Sequence, residues 1–361
     1  MGEVNRTNGN ARIEPVSVCI PAHNEAGTIV NTIESVLRQT GVHVAEILVG
    51  ANACTDDTVG EVRRMEKQHP GIVRLLEIEE KGKPHTWNVL REEAAHDYLI
   101  FMDGDVEVDP PAFSRLHEML RARDDLIIAQ STNAAVLRDC NWLTRLSRPR
   151  PNAEGGIYIK ERQDHTCGRL YAIRRSGIES VMDELGFDKM PVDLIHEDGW
   201  LRRLLDIAAS RRRDVPLEEV IPGNGRYWEV CRDAYVYFVP QDWTEDPKVI
   251  ARTLHAREQL DAMFPEYVVA VKGIRTARAA DRRLMDRIRA RVRTGLRDGT
   301  KQAVVQVMRR IATRKARRLF AADKAAGRSM SARTFARSTS SKRAANSVGI
   351  ESSHARNELP T

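Results

Sequence analysis

The sequence predicts an α/β fold, a mostly parallel sheet flanked by helices, with a basic helical extension behind it. Three observations predict it. Residues 16 to 130 alternate strand-like and helix-like segments. The first four strand-like runs each end in a polar cluster. The chain also changes charge sign: residues 271–361 hold 24 Lys or Arg against 6 Asp or Glu, leaving 33 against 45 for residues 1–270. With 361 residues and 42% hydrophobic content, the body can bury a sizeable core.

Each element follows from local chemistry. Val16 to Ile20 is a short β-branched run closed by Pro21, and Ile29, Ile33, Val36 and Leu37 then recur at helical intervals until Gly41. Glu46 to Val49 gives a second strand and Asp57 to Gln68 a helix; Ile72 to Ile78 gives a third strand, and Pro84 suits a first helical turn. Tyr98 to Met102 is the fourth strand, with a helix opening at Pro110, and Leu126 to Gln130 the fifth. Residues 138–165 are rich in Arg, Pro, Asn and Gly and read as long loops over one face. Beyond them come a strand at Leu170 to Ile173, a helix at Asp198 to Ile207, a strand at Tyr235 to Val239 and a helix at Asp246 to Met263. From Arg275 to Phe320 the chain is Arg-rich and helical in pattern, with Leu284, Ile288, Val292 and Leu296 four apart. These readings divide the chain into a disordered N-terminus (1–13), the sheet domain (14–265), the basic helical extension (266–322) and a disordered tail (323–361).

Composition excludes several classes. No apolar stretch reaches the roughly 20 residues of a membrane span, and the polar start does not resemble a secretory signal. Five widely spaced cysteines with no Cys-x-x-Cys argue against a disulfide framework or a zinc site. The expectation is a soluble, cytoplasmic protein with reduced cysteines. The basic run leaves three roles open, packing on the acidic body, a peripheral place at an anionic inner membrane face, or binding of nucleic acid; little aromatic interleaving weakens the last.

The candidate site comes from the strand ends. Asp103-Gly104-Asp105 stops the fourth strand, and strand geometry puts residues i and i+2 on one side, so both carboxylates are expected to face one way. Gly104, lacking a Cβ, admits a ligand or a neighbouring backbone. Paired hard oxygens on such a rim suit Mg²⁺ or Mn²⁺ shared with substrate phosphates, although Asp-Gly is also ordinary turn chemistry. The other clusters are Pro21-Ala-His-Asn-Glu25, Gly50-Ala-Asn-Ala-Cys-Thr-Asp-Asp57 and Lys81-Gly-Lys83. Parallel strands joined by helices bring all four to one sheet edge, where acceptors, a lysine and a carboxylate pair suit a nucleotide diphosphate. Later in the chain, Lys248, Arg252 and His255 share one helix face. Trp142, Trp200 and Trp228 either stack on a sugar or fill core, and core is favoured.

These clusters, with Val16 to Glu25, Ala53 to Thr58, Gly82-Lys83, Cys167 to Arg175 and Glu197-Asp198, closely resemble the family 2 glycosyltransferases of the GT-A, Rossmann-like fold, across roughly residues 14–260. The resemblance implies an inverting, metal-dependent transfer of a sugar from a nucleotide-diphosphate sugar, UDP-linked first, to an acceptor hydroxyl. It assigns Pro21, Ala22, Glu25, Asn52, Lys83 and Asp103 to the nucleotide, Asn52 standing where many members have Asp. Asp103 and Asp105 would hold Mn²⁺ or Mg²⁺, with His255 as a late ligand, and Arg252 and Arg257 would face the diphosphate. Asp198 matches the catalytic base, an alternative to a plain helix cap, and Gly168 and Glu197 lie on the acceptor side. The Gln-x-x-Arg-Trp motif of membrane-bound relatives is missing, which argues against a processive polysaccharide synthase. Two rival classes are a sugar-nucleotidyltransferase, expected to carry a Gly-rich first loop, and a non-catalytic nucleotide-sugar-binding scaffold, expected to have lost Asp105 or Asp198. Acceptor choice falls to loops 138–165 and 186–196.

Overall fold

The apolar runs at the head of the chain lie side by side. β1 (Val16–Ala22) pairs in parallel with β2 (Val44–Asn52) and β4 (Tyr98–Met102), and β2 pairs in parallel with β3 (Val73–Ile78). The computed structural model describes residues 14–140, 145, 150–159, 168–223, 225–240, 246–281 and 299–326. The expectations for residues 1–13, half of loop 138–165 including Trp142, the Leu284 to Leu296 stripe and the tail from 327 on lie outside the described residues.

Beyond β4 the sheet becomes mixed. With β5 (Glu107–Val108), β6 (Ile128–Val136), β7 (Ile157–Ile159), β8 (Leu170–Arg174) and β9 (Trp228–Phe238), the order is β3-β2-β1-β4-β8-β6-β9-β5, and β7 pairs with the far half of β6. β8 runs antiparallel to both neighbours, while β6 and β9 are parallel. Two expectations are corrected here. β6 continues to Val136 and β9 begins at Trp228, because Ser131 and Thr132 are buried with their hydroxyls donating to the carbonyls of Leu170 and Cys231, both at 2.9 Å. Part of the stretch expected as loop is the strand β7.

Alternation along the strands divides the core into two layers. Cys19, Leu48, Leu99, Phe101, Tyr171 and Ile173 face one way, against α3 (Lys83–Glu93), α5 (Arg175–Glu184) and α6 (Glu197–Arg213). Val18, Ile20, Ile47, Val49, Ile100 and Met102 face the other, against α1 (Ile29–Leu37), α2 (Thr58–Gln68) and α4 (Ala112–Arg121). Trp200 and Trp228 are core, as favoured.

The expected boundary at 265 does not hold. After α7 (Leu217–Val220) and α8 (Asp246–Met263), helix α9 (Pro265–Asp281) puts Tyr267 and Ala270 into the first layer beside Leu260 and Phe264. Asp206, wholly buried in α6, accepts hydrogen bonds from Trp228 Nε1 at 2.8 Å and Tyr267 Oη at 2.9 Å, which ties α6, β9 and α9 together. Burial pushes its carboxyl up, against the pull of Arg202. The last helix, α10 (Gly299–Ala325), packs along α8 through Ala312 and Ala316, so residues 323–325, expected in the tail, are helical. Among the described residues, no helix is long and apolar enough to cross a membrane.

Candidate active site

Four strand-end loops build one rim, and side chains lace them together. In the loop after β1, Asn24 takes a positive φ of 56° and its Oδ1 accepts from Thr55 N at 2.7 Å. Glu25 N donates to Thr58 Oγ1 at 2.8 Å, Ala26 N to Asp56 Oδ2 at 3.1 Å and His23 Nδ1 to the Asn52 carbonyl at 2.6 Å. Loops 23–26 and 52–58 are therefore tied to each other by these four hydrogen bonds. Asn52 is spent on the third loop: its Nδ2 donates to the Glu80 carbonyl at 2.5 Å and its Oδ1 accepts from Gly82 N at 2.8 Å. The amide oxygen expected to meet a base is thus engaged with backbone. Gly82 holds φ 137°, a conformation that favours glycine, and delivers the chain into α3 with Lys83 at its first position.

The carboxylate pair differs from the expected geometry in one respect. β4 stops at Met102 and residues 103–106 turn, so strand alternation does not carry through Asp103 and Asp105. The need for Gly104 is also specific. It is buried, its carbonyl accepts from Thr28 and Thr32 Oγ1 at 3.0 Å each, and a Cβ there would meet Glu25 Cγ at 3.2 Å and Ala22 Cβ at 3.4 Å. Ala22 and Glu25 thus pack under the turn, and the close approach that Gly104 permits is by the first loop.

Asp103, the first residue past β4, reaches the N-termini of α3 and α6 through Lys83. Lys83 Nζ lies 2.6 Å from Asp103 Oδ1 and 2.5 Å from Glu197 Oε1, bridging the end of β4 to the start of α6. Burial would depress the ammonium, but the two carboxylates outweigh it and hold Lys83 well above the ordinary lysine range. Burial would likewise raise the Glu197 carboxyl, and Lys83 reverses that, leaving it below the usual range. Gly168 closes over this bridge: a Cβ there would stand 2.6 Å from Glu197 Oε1 and 3.3 Å from Lys83 Nζ.

Asp198 follows in the first turn of α6, its Oδ1 accepting from Gly199 N at 2.7 Å. Burial and then the adjacent Glu197 charge raise its carboxyl above the ordinary aspartate range, the direction a base working near neutrality needs. Beside it, burial lowers His196, and the Arg252 guanidinium lowers it further. Arg252 itself donates to the Ile195 carbonyl at 3.2 Å. Below the bridge, Trp87, Phe101 and Tyr171 stack with ring centroids 5.2 and 5.6 Å apart, and Trp87 Nε1 donates to Tyr171 Oη at 2.8 Å. This aromatic floor, His196, and the threonine pair under Gly104 were not singled out in the sequence; the i, i+4 spacing of Thr28 and Thr32 on the first helix is the signal that points to the last.

One expected residue is engaged elsewhere. His255 is buried under α10, its ring 4.5 Å from that of Phe320 and its Nε2 3.7 Å from Asp323 Oδ2. Among the described residues no three His, Cys, Asp or Glu side chains gather as a metal site, so His255 does not join Asp103 and Asp105. Arg257 is exposed, and at five residues' separation it does not share a helix face with Arg252. The donor set on the rim is therefore two half-buried carboxylates, which fits a Mg²⁺ or Mn²⁺ ion that completes its shell with phosphate and water oxygens.

This mixed sheet gathers its strand-end loops on one rim, and comparison with known proteins places the fold. Residues 17–181 match the family model Glycosyl transferase family 2. Glycosyltransferase AglD of Haloferax volcanii is 24% identical over 185 residues, covering 47% of this chain and 28% of that protein. Chondroitin synthase of Escherichia coli is 28% identical over 133 residues, covering 37% of this chain and 19% of that protein. The chain thus spans less than a third of the length of these curated relatives. A mannosyltransferase from Pyrobaculum calidifontis, solved with GDP-Man and Mn²⁺, superposes over 87% of both chains with a TM-score of 0.50 at 20% identity. Residues 17–181 are thus similar to glycosyl transferase family 2, and the fold is that of the GT-A glycosyltransferases.

Proposed function

We propose that the chain transfers a sugar from a nucleotide-diphosphate sugar to an acceptor hydroxyl with inversion at the anomeric carbon. The observation that carries this reading is the Lys83 bridge, which ties the Asp103–Asp105 turn to the helix start bearing Asp198. A donor on the rim and an acceptor at α6 would then approach each other across one cluster. The acceptor oxygen attacks the anomeric carbon, Asp198 takes the hydroxyl proton, and the bond to the diphosphate oxygen breaks. Asp105 and Asp103 would hold the divalent ion, which supplies neutralising charge to the departing diphosphate. Arg252, close to His196 and bonded to the Ile195 carbonyl, adds cationic charge on the same side.

UDP-sugars are the first donors to test. The Pyrobaculum mannosyltransferase was solved with GDP-Man and Mn²⁺, and Asn52 is engaged with loop backbone, so guanosine donors belong in the same screen. Hydrolysis of UDP-, GDP- and dTDP-sugars with Mn²⁺ is compared between the parent and Asp105→Ala. Metal-dependent turnover of one donor, lost in the variant with the fold intact, is the expected result. Equal turnover by both proteins overturns the metal assignment.

A further inference from the structure

We propose that the outward face of α10 is a docking surface for an anionic membrane. The inward face is already used: Ala312, Ala316, Phe320 and Asp323 recur at i, i+4, i+8 and i+11 and lie toward α8, where Phe320 meets His255 and Lys324 pairs with Glu258. The opposite face presents exposed Arg310, Arg314, Arg317 and Arg318. Along one edge of it run Ile311, Lys315 and Leu319, with Ile311 54% and Leu319 38% exposed.

Among the described residues, the charge on this face differs from that of the sheet domain. Arginines of the body meet carboxylates, as in Arg74–Glu93, Arg91–Glu179 and Arg213–Asp125. From Gly299 to Ala326 the sequence instead offers eight Lys or Arg and a single acid, Asp323, which is turned inward to His255. An anionic lipid surface supplies the missing countercharge to a straight row of cations. Ile311 at the edge of that row, and Leu319 further round toward α8, favour a lipid surface over a single-stranded nucleic acid, which is held by stacking on aromatic rings; Phe320 faces His255. Two exposed apolar residues are too few for deep insertion, so the contact is electrostatic and salt-sensitive.

The test floats the full chain with phosphatidylcholine vesicles, pure or containing about one-third phosphatidylglycerol, at low and high salt. Binding is expected to the anionic vesicles at low salt, with loss of most of it near ~0.5 M salt. At about fivefold per cation, replacing Arg314, Arg317 and Arg318 together by Gln lowers the partition roughly a hundredfold. All three are exposed, so the melting temperature of the variant should match the parent. Equal binding to pure phosphatidylcholine, anionic-vesicle binding retained by the triple variant, or binding to an RNA oligomer with none to vesicles overturns the proposal.

Discussion

Replacing Lys83 by Met leaves Glu197 ionised, buried and without its cation. Removing one partner of a fully buried pair costs about 3–5 kcal/mol, whereas exposed pairs contribute at most about 1 kcal/mol. Here Glu197 is 7% exposed but Lys83 and Asp103 are 30% and 27% exposed, so water recovers part of the loss, and about 2 kcal/mol is expected. At roughly 2 °C per kcal/mol for a domain this large, melting falls by about 4 °C at pH 7. The pH dependence separates this from lost packing. In the parent, Glu197 sits below its ordinary value, so its contribution is present above the unfolded-state pKa of 4.5 and is lost as pH falls through the folded value. Without Lys83, burial raises the same group, and its ionisation then opposes folding as pH rises. The gap between parent and variant should therefore widen from pH 4 to pH 7, measured by thermal denaturation with chelator present. Adding Glu197→Gln removes the stranded charge and should recover most of the loss at pH 7. A pH-independent gap, or a double variant less stable than Lys83→Met, refutes the bridge.

Gly168→Ala should cost about 1–3 kcal/mol, because the new Cβ must displace the Glu197 carboxylate from 2.6 Å; chemical denaturation measures it. Asp198→Asn should lower kcat about 10²- to 10⁴-fold with little change in donor KM. The parent should lose activity as pH falls through the raised Asp198 value, so the acid limb of kcat lies above the ordinary aspartate range, and kinetics from pH 4 to 8 locate it. Asp206→Ala strands the Trp228 indole and Tyr267 hydroxyl in the core and should destabilise by about 2–4 kcal/mol, read by urea unfolding.

Where a strand was apolar and bounded by Pro or Gly, the sequence disclosed it. β1 to β4 lie within a few residues of where periodicity put them, and the helix at Asp246–Met263 has the bounds expected. What escaped notice was concealed by chemistry that satisfies itself only in three dimensions. Ser131 and Thr132 look like loop until their hydroxyls find the carbonyls of β8 and β9. α5 carries Gly177, a poor helix former, because a Cβ there would come within 3.1 Å of Ile127. The boundary at 265 was drawn on composition, yet Tyr267 is bound into the core by Asp206, some sixty residues upstream.

The site was legible as residue types and not as partnerships. Lys83, Asp103 and Glu197 each stood out locally, but no sequence spacing joins positions so far apart; the join needs β4 to deliver Asp103 between the starts of two helices packed on the same sheet face. The His255 face illustrates the converse. Its i, i+4, i+7 pattern correctly groups residues on one helix, but helical period says nothing about which neighbour covers them, and Phe320 and Asp323 of α10 do. The consequence of the bridge is a constraint on tuning. Because one ammonium serves both the metal-type turn and the helix start beside Asp198, a change on the donor side that draws Asp103 away leaves Lys83 to Glu197 alone. The stronger pairing lowers the field of Glu197 at Asp198 and hence the basicity of that carboxylate. The turn and the helix start are therefore coupled through charge, and Gly168, where a Cβ would meet both Glu197 Oε1 and Lys83 Nζ, is the position where the smallest added volume would disturb that coupling.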